Sequence, residues 1–543
     1  MASVEQPSDK PIKPEVSVSE VIEVEKDVEY PSVTKLTLTT IAVSLAVFCM
    51  SLDNTIIATA IPTITDQFKS LGDVGWYGSA YLLTICCFQL IFGKLYSFLS
   101  VKWVFLTALF LFELGSLVCG IAPTSKALII GRAIAGLGGA GVFSGAVLIV
   151  SKTVPLHQRP TYNGLLGAMY GISSVAGPLL GGAFTEKLTW RWWGGTSFYI
   201  NLPFGLVAAV FISFFFTNPG QYTPGKAVEW KNRLREFDVL GTALLLPAVI
   251  CVLLALQWGG SQYPWKDGRI IAFFVLFGVL IIAFAGVQIW KQDKATVPPH
   301  VLKQRTVWAA ALYATSMSAF MFILIYYLPI WFQAIKGASA VKSGIMNLPL
   351  ILAMVVLNSI SGILVSAVGY YTPFMIASSI ISAVGIGLMT MLTPTTPLAR
   401  WIGYQVLVGA GMGMGTQQPI TAVQAALPAA DIPIGTAIMM FAQTMGGSIF
   451  VSVGQTVFQN QLRRNILRAI PDEGRQIAPL VSGLGATEIQ DVVSRKFPKD
   501  LAKTLSAYND SLTETWYVSV VMAGLSLVGA VFVEWISVKR NKR

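Results

Sequence analysis

Charge is what this sequence has least of. Acidic and basic residues fill 12% of its 543 positions, about half the share of an ordinary soluble domain. Hydrophobic residues fill 54%, and mean hydropathy is +0.64. A chain this long cannot cover a water-facing surface with so few charges. Histidine is nearly absent: His157 and His300 have no second histidine or carboxylate at ligand spacing, so no metal site is indicated. The cysteines Cys49, Cys86, Cys87, Cys119 and Cys251 lie inside apolar runs without a CxxC pair, which suits small packing residues and not disulfides or metal ligands. No Gly-x4-Gly-Lys-Ser/Thr occurs, so ATP-driven transport by this chain is not expected. No nucleophile stands with a plausible base, so neither an enzyme nor a resident cofactor is expected. Alternating ten-residue strands are missing too, which excludes a β-barrel. The first thirty-odd residues lack the features of a signal peptide and read as a disordered, Glu/Lys/Pro/Ser-rich tail.

Long apolar runs are what it has instead. Fourteen reach the roughly 20 residues that a bilayer core demands, at about Leu38–Ala60, Val74–Phe98, Trp103–Ile121, Ala127–Val150, Tyr162–Phe184, Phe198–Phe216, Val239–Leu256, Ile270–Trp290, Val307–Phe332, Ile345–Val368, Phe374–Leu392, Trp401–Ala426, Ile434–Phe458 and Trp516–Ile536. Lipid leaves an open backbone unsatisfied, so these are helices. The net charge of +11 sits mainly in short loops, as at Lys94, Lys102, Lys152, Arg159, Lys291 and Lys294. That is the positive-inside pattern and not a nucleic-acid surface, and with an even span count it places both termini in the cytoplasm. The segment from Asn460 to Thr515 reads as a long external loop. Arg132-Ala-Ile-Ala-Gly136-Leu-Gly138 aligns with Gln405-Val-Leu-Val-Gly409-Ala-Gly411, a weak internal repeat of the kind carriers use.

Few charges fall within the runs. Asp53, Glu113, Arg132 and Glu534 do, and an ionised carboxylate in hydrocarbon must be paired, protonated or wetted. Burial raises a carboxyl pKa and a nearby Arg lowers it, so a site under both influences can load and release a proton. Asp53 and Arg132, at matching depth, are the proton-coupling candidates, with Glu113 next; a static ion pair or a snorkelling side chain is the alternative for all three. In the fifth run, Gly167, Gly171, Gly177, Gly181 and Gly182 permit close helix packing, and Pro178 predicts a kink.

These residues resemble the fourteen-span drug:proton antiporter branch of the major facilitator superfamily, over about Leu38 to Trp535. Leu52-Asp53-Asn54-Thr55-Ile56-Ile57-Ala58-Thr59-Ala60-Ile61-Pro62 is similar to its first-helix motif, and Gly131-Arg132-Ala133-Ile134-Ala135-Gly136-Leu137-Gly138 to its fourth-helix proton-coupling motif. Gly167–Gly182 resembles the fifth-helix antiporter motif; Trp190-Arg191-Trp192 and Phe198–Gly205 are typical of the branch. One departure stands out: Ser97 replaces the acidic residue of the usual loop after the second helix, weakening the charge lock expected there.

The resemblance implies an all-α polytopic membrane protein. A cytoplasmic tail (1–37) precedes a six-helix half (38–217), a linker with two inserted helices (218–305), a second half (306–537) and a short tail (538–543). It implies proton-coupled efflux of small hydrophobic organic compounds, most like fungal toxin or secondary-metabolite pumps, by a monomer in the cell membrane or a vacuolar or vesicle membrane. Uptake of a nutrient or iron chelate is the rival reading, and a channel or receptor a more distant one. In that architecture Met317, Tyr326 and Tyr327 of the ninth run and Phe441 and Gln443 of the thirteenth border the substrate cavity, Gln443 orienting one polar group. Asn509 heads a glycosylation sequon close to the last run, where poor modification is expected.

Overall fold

A computed structural model of the chain describes residues 30–68, 74–185, 201–216, 238–260 and 263–539. Among these, fourteen helices of fifteen residues or more succeed one another. They are α1 (Val33–Phe68), α2 (Val74–Phe98), α3 (Val101–Ile121), α4 (Ser125–Thr153), α5 (Arg159–Thr185), α6 (Asn201–Phe215), α7 (Val239–Trp258), α8 (Gly268–Lys291), α9 (Arg305–Ala334), α10 (Leu348–Val368), α11 (Thr372–Met389), α12 (Leu398–Gly415), α13 (Ile432–Ala469) and α14 (Leu501–Phe532). Eleven helices of the described residues are long and apolar enough to cross a membrane; α5, α6 and α12 fall outside that set.

Small residues decide which helices pair. A Cβ on Gly138 would stand 2.6 Å from Ala108 O, and one on Gly115 2.5 Å from Ala135 Cα, so α3 and α4 meet backbone to backbone. The repeat partner behaves alike: a Cβ on Gly411 would stand 2.7 Å from Ser382 N, and one on Gly385 3.0 Å from Val408 N, closing α11 on α12. The weak sequence repeat is therefore a repeat of packing. α1 lies against α5 and α6, and α2 and α3 against α4; later in the chain α9 joins α13 and α14, and α12 joins α10 and α11. The two clusters meet where α5 packs on α10 and α2 on α13. α7 leans on α2 and α13 and carries α8 behind it, whose outward residues Ile282 and Ile289 are 73% and 65% exposed.

At the end of the bundle where α1 starts, the clusters touch closely. A Cβ on Gly93 of α2 would overlap Ala437 of α13, one on Gly362 of α10 would stand 2.5 Å from Pro160 O, and Thr161 Oγ1 lies 2.9 Å from Ser366 Oγ. The segment after α8 straps this end. Asp238, capping α7, accepts hydrogen bonds from Gly241 N, Gln288 Nε2, Lys291 Nζ and Thr296 N at 2.8–3.0 Å. Lys94 then donates to Ala295 O at 2.8 Å, and His300 spans Asp293 at 3.1 Å and Asp431 at 3.3 Å. Ser97 donates to Gly93 O within its own helix; of the two charges at Lys94 and Lys102, Lys94 is taken up by the strap, while Lys102 donates to Phe216 O at 3.1 Å.

The expected loop from Asn460 to Thr515 is mostly helix. α13 runs on to Ala469, short helices cover Gly474–Gly483 and Ile489–Lys496, and α14 starts at Leu501, far ahead of Trp516. Leu462 and Ile466, one turn apart, are buried, as are Tyr508 and Leu512, so each helix keeps an apolar stripe where its overall composition has turned polar. Gln490 Nε2 donates to Ala334 O and Ile335 O at 3.0 and 3.1 Å, capping the end of α9.

Candidate functional site

Two adjoining structures carry chemistry. The first is a buried polar cluster. Arg132 of α4 places Nη1 2.5 Å from Asp53 Oδ2 of α1, and both side chains are fully buried. Its Nε donates to Tyr77 O at 2.9 Å, and its guanidinium lies over the Tyr81 ring, 4.3 Å from the centroid. Asn201, the first residue of α6, donates to Asp53 Oδ1 at 3.4 Å and to Ser116 Oγ of α3 at 3.3 Å. Side chains from α1, α2, α3, α4 and α6 thus converge on one ion pair, as a buried charge requires. Glu113 lies a turn from Ser116 on α3; both its carboxyl oxygens are buried without a hydrogen-bond partner among the described residues, and it packs against Gly205 of α6. The sequence brought Asp53 and Arg132 forward because charge in an apolar run is conspicuous. Asn201 entered only as part of the Phe198–Gly205 stretch and without a role, being neutral; an amide opening a membrane helix was the available signal.

The second is a cavity of about 510 Å³ between the clusters, lined from both of them and from α7. Among the described residues that line it there is no Asp, Glu, Lys, Arg or His. It reaches Ser79, Gln257 and Gln455, towards the end opposite the strap. Tyr81 joins the two structures, facing the cavity while its ring underlies Arg132 and its hydroxyl donates to Met50 O at 3.1 Å.

Of the expected cavity residues, Tyr326 and Gln443 line it, and Gln443 Nε2 donates to Thr416 O at 3.2 Å. Met317, Tyr327 and Phe441 do not. The reason is helical phase: Ser318, Met321, Phe322 and Ile325 form the cavity face of α9, at the spacing of one helix stripe. Met317 turns instead towards Ser378 of α11, Tyr327 meets Phe458 at a tilt with ring centroids 5.8 Å apart, and Phe441 packs against the apolar core. In α5, Gly167 borders the cavity and Gly171 packs against Val355 of α10, while Gly177 is buried. The helix continues through Pro178, Gly181 and Gly182, but their side-chain surroundings, and the motif at 190–200, lie outside the described residues. Asn509 is not an open acceptor: it is 3% exposed, accepts from Trp331 Nε1 at 2.8 Å and donates to Leu392 O at 3.0 Å. Its side chain is held inside the fold, in α14, by these two bonds.

A long helical bundle with a cavity between two clusters, and an ion pair beside that cavity, has the plan of a membrane solute carrier. The profile of the Major Facilitator Superfamily matches residues 43–451, and the chain belongs to that family. It is 55% identical over 515 residues to the MFS-type transporter astH of Aspergillus oryzae, covering 95% of this chain and 89% of that one. It is 53% identical to the MFS-type efflux pump MFS1 of Trichophyton rubrum (94% and 93% covered) and 53% identical to the efflux pump roqT of Penicillium rubens (93% and 91%). Solved structures agree in fold: the proton:xylose symporter XylE aligns with a TM-score of 0.57 at 13% identity over 91% of this chain and 94% of its own. The human organic anion transporter MFSD10 aligns with a TM-score of 0.57 at 14% identity over 92% and 99%.

Proposed function

We propose that this chain is a fourteen-span, proton-coupled efflux carrier of the drug:proton antiporter branch, exporting small, neutral, largely apolar organic molecules such as a fungal toxin or other secondary metabolite. The observation that carries the reading is the charge-free cavity beside the buried Asp53–Arg132 pair. The names of its relatives, efflux pumps of other fungi, support the direction of transport. The helices group as six, two and six (38–217, 218–305 and 306–537), α7 and α8 being the inserted pair. The chain acts as a monomer in the plasma membrane or a vacuolar or vesicle membrane. Its termini are cytoplasmic, so the strapped end faces the cytoplasm and the cavity faces outward.

Proton entry to Asp53 releases Arg132, which then rests on Tyr81, and the cavity wall registers the change through that ring. Glu113, its carboxyl oxygens buried without a hydrogen-bond partner among the described residues, is the second proton carrier. The α5 motif of Gly167, Gly171, Gly177, Pro178, Gly181 and Gly182 shapes the helix that closes on α10. Each proton moving inward contributes about 2.3 kcal/mol per 100 mV. Asp53→Asn keeps the shape and removes the titration. In proteoliposomes with an imposed pH gradient it should abolish gradient-driven transport while equilibrium binding remains measurable. Undiminished proton-driven export by that variant refutes the coupling role.

A further inference from the structure

Within the cavity, two amides converge from different helices. Asn358 of α10 and Gln417, between α12 and the short helix Gln418–Ala426, both line it and are 3% and 5% exposed. Asn358 Oδ1 and Gln417 Oε1 are buried with no hydrogen-bond partner among the described residues. Both face Gly167 of α5: a Cβ there would overlap Asn358 Nδ2 and stand 2.6 Å from Gln417 Nε2. Glycine at 167 is therefore what leaves room for the amides. The lining also carries Met354, one turn before Asn358 on the same helix, and Met321 of α9, with Thr416 next to Gln417.

A buried carbonyl oxygen without a donor forfeits the hydration it had in water, and an occupant that brings a donor restores it. A site built to bond a donor discriminates sharply against the analogue that lacks one, because its own polar groups then stay unpaired. We infer that Asn358 and Gln417 form a recognition subsite for an N–H or O–H group on an otherwise apolar, uncharged substrate. The class of molecule is a ring system carrying one donor, such as an indole, lactam or phenol. This rests on the neutral-cavity reading and adds a polarity to it: the molecule donates and the protein accepts. Gln443 of α13, its own amide engaged with Thr416 O, holds the neighbouring turn in place.

The test uses two fluorescent probes differing by one methyl group, 2-phenylindole and 1-methyl-2-phenylindole, titrated into purified protein in lipid nanodiscs. The wild type should bind the N–H probe at least tenfold more tightly. Asn358→Leu combined with Gln417→Leu should bring the ratio to within threefold while the N-methyl probe binds as before, which also shows that the variant is folded. Gly167→Ala should weaken the N–H probe selectively by pressing on both amides. Equal affinity in the wild type, or a tenfold preference that survives in the double variant, overturns the subsite and leaves the neutral cavity standing. Failure of the wild type to bind either probe overturns both.

Discussion

Replacing Asp238 by alanine probes how firmly the strap is held to the inserted helices. The carboxylate accepts from Gly241 N, Gln288 Nε2 and Lys291 Nζ at 2.8 Å, from Thr296 N at 3.0 Å and from Thr296 Oγ1 at 3.1 Å. Alanine leaves the donors without an acceptor and Lys291 without its counter-charge. Breaking a buried ion pair from one side costs about 3–5 kcal/mol. The Lys291 side chain is 24% exposed, so water recovers part of that, and about 3 kcal/mol is the working figure. At 1.36 kcal/mol per decade this corresponds to about a 150-fold rise in local opening. The amides that report it are Thr296, bonded to Asp238, and Val297, bonded to Gln288 Oε1 at 2.8 Å. Hydrogen exchange followed by mass spectrometry on a peptide spanning 292–302 should show that acceleration, with the middle of α7 unchanged. Asp238→Asn, which keeps an acceptor for the backbone donors, should fall between. Exchange in the alanine variant within threefold of the wild type refutes the strap as an anchored element.

The same carboxyl gives a pH dependence. Burial pushes its pKa up, but hydrogen bonds from Lys291, Gln288, Gly241 and Thr296 outweigh that and hold it at about 2, below the usual 3.8. The stabilisation is therefore complete above about pH 4 and is lost as pH falls towards 2, worth about 1–2 kcal/mol after solvent screening; in tryptophan-emission melts the gap between wild type and Asp238→Asn should be full at about pH 5, narrower at about pH 3 and nearly closed at about pH 2. Gly93→Val forces α2 off Ala437 at the sealed end and should disfavour this conformation by about 1–3 kcal/mol, read as slower labelling of a cysteine placed at Ser452, on the cavity lining, against a background of five buried native cysteines. Asn509→Gln should leave electrophoretic mobility unchanged on expression in a glycosylating host, since the side chain is buried, yet lower thermal stability as Trp331 Nε1 loses its acceptor.

Hydropathy made most of the architecture legible. A spanning helix needs some twenty consecutive apolar residues, and that requirement is written linearly. It failed at the far ends of α13 and α14, where Gln-Asn-Gln-Leu-Arg-Arg lowers the window average; the buried pair Leu462 and Ile466 shows that a 3.6-residue period still ran beneath it. The ion pair was legible for the opposite reason, since Asp53 and Arg132 each contradict the run that contains them. Cavity residues were not. Choosing Ser318 over its neighbour Met317 requires knowing which stripe of α9 faces the gap, and that is set by α11, α13 and α14 packing around it. The strap was hidden likewise: nothing local in Lys94 says that it bonds carbonyls two hundred residues away.

The length of α13 has a practical consequence for seeing this molecule at work. Its 38 residues extend about 57 Å, nearly twice a hydrocarbon core of about 30 Å. Its last turns carry Arg463, Arg464 and Arg468 out of the apolar layer, and with the two short helices and the start of α14 they form a folded cap. Particles of 58.6 kDa that vanish into a detergent belt give an image-alignment procedure little to hold. Here the cap, fixed to α9 through Gln490 and to α14 through Asn465, which donates to Ser511 Oγ, breaks that featureless outline. An antibody fragment raised against it would enlarge the particle and mark one face of the bundle, leaving the cavity and the strap free to move.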